Sequence, residues 1–308
     1  MFKLRFLFLV AALLFFFRTN AQNITDLAPT VTHSNKIDKI TSAKEIEHLL
    51  KSIDRRFTGF KVNTLKWNDK DYQKLCDSLQ VKPFEKADFD NNGYTDLLVI
   101  GEQPFLDVYC IMDSGGNKFV IKTVSRHFED CLPVVSTSVN ETFITNYNFK
   151  YNNWGTVDSP HTITSTKLVY KYGGFIEYYD SSKSYGIEKI EYSTTACYGP
   201  CPIFSFVINS DRTAEYVARM NNNPNGKFKG IIDEVSYKEL IDLLNYIDFP
   251  SLKNDYRVAV TDQQASTLTI TYNGGKTKVI NDYGLLGTYG LRRAYEILFR
   301  LRESEEWE

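Results

Sequence analysis

Residues 88–97 read D-F-D-N-N-G-Y-T-D-L, which sets oxygen-bearing side chains at Asp88, Asp90, Asn92 and Asp96 with Gly93 at the turn. Alternate residues of a tight loop can face inward together, and a hard cation such as Ca²⁺ takes about six to eight oxygens, so the spacing predicts a calcium loop. Gly93 permits the sharp turn, and the backbone carbonyl of Tyr94 is a further expected ligand. Val99 stands where an EF-hand carries its bidentate Glu, and a strand-like run follows, so this is not an EF-hand. A metal-free acidic turn is the alternative. Because the loop brings no adjacent base or nucleophile, the expected role of the ion is structural.

The second chemical signal is C-Y-G-P-C-P at residues 197–202. Five cysteines occur, Cys76, Cys110, Cys131, Cys197 and Cys201. The odd count leaves at least one thiol free or paired between chains, and sequence alone does not pair Cys76, Cys110 and Cys131. Proximity favours a disulfide between Cys197 and Cys201, with reduced or otherwise paired thiols as the alternative. A redox pair would place its first Cys at a helix N-terminus, where the thiolate is stabilised, but residues 203–209 are apolar and β-branched like a strand. Zinc would need two further ligands nearby. A third candidate is G-L-L-G-T-Y-G, with Gly284, Gly287 and Gly290 just ahead of a helix carrying Arg292 and Arg293. Helix-start N–H groups and two guanidinium groups could hold an anion, but the expected reading is a flexible strand-to-helix connection with solvent-facing arginines. Nucleophile-elbow, zinc-protease, P-loop and dinucleotide motifs are all missing from the sequence.

Two of these segments carry a family resemblance. Residues 88–101 resemble one calcium loop of the integrin-type FG-GAP repeats, in which D-x-D-x-D-G-x-x-D-L binds calcium and leads into a strand. Here Asn92 replaces an Asp. The run I-E-Y-S-T-T-A-C-Y-G-P-C-P-I-F-S-F-V-I-N-S-D-R-T-A-E-Y at 190–216 resembles the domain-of-unknown-function family 6438 of exported bacterial proteins, over about residues 186–307. Asp211-Arg212 stands where that family usually turns on Asp-Gly, and the resemblance implies a domain without implying an activity.

The elements that must position these groups are legible in outline. Residues 1–22 show a basic start (Lys3, Arg5), an apolar run over 6–17 and a small-residue exit at Thr19-Asn20-Ala21. That is a cleavable signal peptide, with a mature chain from Gln22 and a secreted or periplasmic destination. The run is shorter than the roughly 20 residues of a spanning helix, so no transmembrane segment is expected in the mature chain. No Cys follows the exit, which argues against a lipid anchor. Residues 22–41 lack periodicity and are expected to form a flexible leader. Ser42 with Glu45 forms a capping box ahead of a helix, and a second helix is expected over 70–79 behind Asn68 or Asp69. Extended runs over 97–172, separated by turn residues, predict one antiparallel meander. After a polar stretch at 180–186, strands resume; helices follow from 236 and 291, with a hairpin around Asn273-Gly-Gly275.

The expected fold is therefore α+β in two domains, 42–180 and 186–308, each an antiparallel sheet with a few packed helices. A formal charge of −2 with no run of Lys and Arg gives no footprint for nucleic acid or anionic lipid. Aromatic residues make up 14% of the chain and spread over every apparent strand, which suits sheet packing better than a sugar-stacking platform. The expected function is a non-enzymatic binding or scaffold role toward an envelope or extracellular ligand. The alternative is an extracellular hydrolase of polysaccharide or peptide whose site is assembled from residues distant in sequence. A pocket where titratable groups converge would favour the hydrolase.

Overall fold

The computed structural model describes residues 31–103, 105–126, 131–151 and 161–308; the expected signal peptide and residues 22–30 of the leader lie outside them. Helix α1 (Ala43–Ile53) starts where the capping box places it: Ser42 Oγ accepts the Glu45 N–H while the Glu45 carboxylate accepts the Ser42 N–H. Helix α2 (Lys70–Ser78) is capped by Asp69, which accepts the N–H groups of Asp71 and Tyr72. Each cap answers backbone donors that the first helical turn cannot satisfy itself.

The first sheet holds β1 (Lys61–Val62), β2 (Phe84–Ala87), β3 (Asp96–Glu102), β4 (Leu106–Asp113) and β5 (Phe119–Thr123). β3 is its spine, paired with β4 on one side and with β1 and β2 in succession on the other. β3 is buried from Asp96 to Gly101, as expected of a strand covered on both faces. On one face Leu97, Val99 and Ile111 meet Ile46 and Leu50 of α1. The other face packs on a second sheet, β6 (Leu132–Thr137), β7 (Thr142–Tyr151), β8 (His161–Lys171) and β9 (Gly174–Glu177), an antiparallel meander.

The expected single meander over 97–172 is thus two sheets. The chain leaves the edge strand β5 at buried Val124 and re-enters at buried Cys131, both in the core between the sheets. Alternation shows only that one face of each strand is apolar, which cannot tell a continued sheet from a stacked one. The expected leader also differs at its end. Ile37 is fully buried, and the Thr32 and His33 N–H groups both donate to the Gly93 carbonyl. Residues 31–41 are held by long-range hydrogen bonds, which leave no periodicity to read.

The third sheet runs β13-β12-β11-β10-β15-β16-β14, built from β10 (Ile187–Thr194), β11 (Ile203–Asn209), β12 (Thr213–Met220), β13 (Gly226–Ile231), β14 (Asp255–Arg257), β15 (Ala265–Tyr272) and β16 (Lys276–Tyr283). Its one departure from antiparallel pairing is β14, which runs parallel to β16 because the chain turns back through β15 between them. Helices α3 (Glu234–Tyr246) and α4 (Tyr289–Ser304) join the core on one face of this sheet. Among the described residues no strand pairing crosses residues 178–186. Side chains do: Ile144, Leu168 and Phe175 of the four-stranded sheet enter the core shared with the first sheet, while their neighbours Phe143, Val169 and Ile176 enter the core of α3 and α4. The period of two along β7, β8 and β9 serves two cores at once.

Gly290, in the first turn of α4, shows how closely these parts approach. A Cβ there would fall well inside van der Waals contact distance of Ile247 Cγ2 and lie 3.3 Å from Glu177 Oε2. Gly290→Ala should therefore destabilise the fold by about 1–3 kcal/mol, the usual cost of overpacking, even though alanine favours helix. Urea unfolding measures this, and an unchanged midpoint would show that the helix seat can relax.

Candidate functional site

The 88–96 loop closes on itself through its own carboxylates. Asp88 accepts the Asn92 N–H at 3.1 Å and the Gly93 N–H at 2.8 Å; Asp96 accepts the Phe89 N–H at 2.9 Å and the Asp113 N–H at 2.8 Å. Gly93 has φ +83°, a left-handed turn conformation that suits glycine. The result brings Asp88, Asp90 and Asp96 together with one carboxylate oxygen from each lying within 4.8 Å of the others. Asp88 and Asp96 are buried and Asp90 half-buried, and among the described residues no Lys or Arg bonds to any of the three.

Asn92 is engaged by the loop itself. Its Oδ1 accepts the Tyr94 N–H, and its Nδ2 donates to Asp90 Oδ2 and to the Asp113 carbonyl. Tyr94 forms a bridge with His33, their rings 4.8 Å apart. Asp38 completes the strap with a hydrogen bond from Thr95 Oγ1, and Asn35 donates to the Thr95 carbonyl. The loop therefore joins the 31–41 segment, β3 and the turn after β4 at one point.

Electrostatics follow from this crowding. Burial, then the neighbouring Asp88 charge, pushes the Asp90 carboxyl up to about 6. Burial also pushes Asp96 up to about 8 against the two backbone N–H groups that favour its anion, with Asp90 and Asp88 adding repulsion. Desolvation and like charge both disfavour ionisation, so the site holds protons or a cation more readily than bare charge.

The cysteine turn is a disulfide between Cys197 and Cys201, with Cα atoms 5.8 Å apart. The strand order around it is β10, turn, β11, and Thr194 Oγ1 donates to the Pro202 carbonyl across the turn mouth. Cys76 and Cys110 are buried thiols, both pushed above the ordinary range by desolvation.

The place an anion could take at the glycine-rich approach to α4 is filled from within the chain, and the two arginines that a plain connection would leave facing solvent are engaged as well. The Glu177 carboxylate accepts the Tyr289 N–H at 2.7 Å and the Gly290 N–H at 2.8 Å, while Thr288 caps Leu291. Arg292 donates to the carbonyls of Ser125 and Thr123, and Arg293 reaches Glu239 and Glu296 at 3.0 Å each. Arg126 returns the contact from the first half, donating to the carbonyls of Leu286 and Gly287 with its guanidinium 4.9 Å above the Tyr289 ring. Sequence reasoning found the donors here and missed the acceptor, because Glu177 lies over a hundred positions away and belongs to no motif. Asp113, the last residue of β4, completes the acidic loop through its backbone N–H and carbonyl.

Two measurements probe these sites. Asp90 and Asp96 have folded-state values raised above the ordinary carboxyl value of about 3.9, so their contribution is present in full below that pH and is lost as pH climbs through about 6 and then about 8. In chelator-treated protein the urea midpoint should fall between about pH 5 and about pH 8; a flat or rising profile would contradict the crowding. Replacing both Cys197 and Cys201 with Ser should cost about 2 kcal/mol, since so short a loop constrains the unfolded chain little. A loss far above that would mean the turn cannot form without its bond.

No curated protein and no solved structure matches the chain. The segment from β10 almost to the end of α4, residues 188–302, including the disulfide turn and the helix start that docks on Glu177, matches the protein family described as Domain of unknown function (DUF6438).

Proposed function

We propose that this is an exported binding or scaffold protein without catalytic activity, and that its 88–96 loop is a structural calcium site. The observation that carries the reading is the convergence of Asp88, Asp90 and Asp96 in a partly buried loop with no basic partner among the described residues. Like charges at that separation repel, and a divalent cation relieves the repulsion while satisfying several oxygens at once. An all-oxygen donor set suits calcium and lacks the nitrogen and sulfur ligands favoured at structural zinc sites. Asn92 and the Tyr94 carbonyl would fill out the shell, in keeping with the likeness of 88–101 to an FG-GAP loop. Bound there, the ion would tie the 31–41 segment, β3 and β4 together, which is a structural role.

Export is supported by the signal-type pattern of residues 1–22 and by the Cys197–Cys201 disulfide, a bond that persists in oxidising compartments. Among the described residues no helix is long and apolar enough to cross a membrane. A binding role is favoured over hydrolysis by the state of the acids in the cleft beside α4. Asp107 accepts hydroxyls from Ser125 at 2.8 Å and Tyr109 at 3.1 Å, and Glu296 pairs with Arg293. Neither stands ready as a free acid or base opposite the other.

Calcium should raise the melting temperature, with a dissociation constant of about 10⁻⁴–10⁻³ M as in extracellular modules. At ten times that constant the gain is roughly 1.4 kcal/mol. Asp90→Asn keeps the side-chain shape, removes one charged ligand and should abolish most of that shift while the protein stays folded. Calorimetry showing no uptake at millimolar calcium would leave the metal-free acidic turn.

A further inference from the structure

One residue breaks the inner face of the first sheet. Pairing aligns Leu98 of β3, Cys110 of β4 and Lys122 of β5 in a single row, the first two buried in the core against the four-stranded sheet and the third a lysine. β5 is the free edge of its sheet, and beyond it the start of α4 and the β8–β9 turn bound a cleft of about 460 Å³. Its charged lining residues are Lys122, Arg292 and Arg293 against Asp107 and Glu296, three cations to two carboxylates.

Four of these five are engaged. Arg292 holds the carbonyls of Thr123 and Ser125, Arg293 is shared by Glu239 and Glu296, and Asp107 takes two hydroxyls. Among the described residues the Lys122 ammonium has no hydrogen-bond or ion-pair partner, although the residue is half-buried. Burial pushes its ammonium below the ordinary lysine value, with nearby Arg293 adding to the effect and Glu296 and Glu239 opposing it. A desolvated cation without a counter-charge is unfavourable, and a core-facing position gives it no packing reason to be charged.

We infer that this cleft binds a small carboxylic acid with an apolar body, its carboxylate seated on the Lys122 ammonium. One surplus positive charge matches one carboxylate, whereas a dianion such as phosphate would bring a second charge with no partner. The volume lies within the range of small-ligand pockets, and Tyr109, Ile121 and Leu286 supply the apolar walls such a body needs. The inference names a ligand class for the binding role proposed above. Its test contains no calcium, so either reading can fail alone.

The probe is benzoate, added to full-length protein whose lysines carry ¹³C-dimethyl labels, with the Lys122 resonance assigned by its loss in Lys122→Met. A saturable shift of that resonance at millimolar benzoate is expected, with cyclohexanol giving none. Lys122→Met should weaken benzoate binding about tenfold or more by calorimetry, the worth of a charge-assisted hydrogen bond, while its unfolding midpoint holds or rises as the unpaired charge is removed. The wild-type resonance decides the matter even if that variant misfolds, its assignment then coming from Lys122→Arg. No saturable shift at Lys122 overturns the site. A response to phosphate with none to benzoate overturns the ligand class.

Discussion

The fold turns on one carboxylate at one helix end. Glu177, the last residue of β9, receives two backbone N–H groups from the first turn of α4. Those donors have no partner inside the helix, and the positive end of the helix dipole adds to the attraction. The same turn buries Tyr289 in the core between the first two sheets, where Asn146 donates to its hydroxyl at 2.7 Å. Arg126, Arg292 and Arg293 then cross the junction in both directions to carbonyls of the opposite half. Because these contacts are directional, they fix the rotation of α4 as well as its position, and with it the orientation of the seven-stranded sheet that packs on the helix.

This seat explains why the helix is approached through glycines. A Cβ at Gly287 would meet Leu291 and Asp282, and one at Gly290 would crowd Ile247. Asp282 is itself buried in β16, its carboxyl raised by desolvation while it accepts the N–H groups of Leu286 and Gly287. Two carboxylates, the buried Asp282 and the half-buried Glu177, thus organise the approach and the first turn. The region that matches a family model supplies the helix, and residues outside the match supply its acceptor.

The acidic loop and the cleft are two results of the same economy of space. At the loop, Asp88 and Asp96 are drawn inward by the backbone N–H groups of Gly93, Phe89 and Asp113, and Asp90 joins them by accepting the Asn92 N–H. At the cleft, the sheet ends at β5 before α4 covers it, and Lys122 occupies the gap. One site has an excess of negative charge and the other an excess of positive charge, and they lie on different parts of the same sheet.

Short-range information was enough for the elements that depend on neighbours in sequence. Ser42 with Glu45 and Asp69 with its following N–H groups mark helix starts, and the hairpin at Asn273-Gly274-Gly275 forms with all three residues at positive φ. The α+β class, the Cys197–Cys201 bond and the grouping of Asp88, Asp90 and Asp96 could likewise be read from the chain, because each rests on residues a few positions apart. Tertiary structure alone decided the rest. Whether residues 97–172 form one sheet or two, whether 31–41 hangs free or is strapped to β3, and whether the α4 donors face an external anion or Glu177 all depend on partners far away in the chain. Lys122 is the clearest case: its alternation in β5 is visible in sequence, but only the register that sets it beside Cys110 shows that a charge stands in a core-facing row. Local patterns report which face a residue takes, and only the packing of distant segments determines what that face meets.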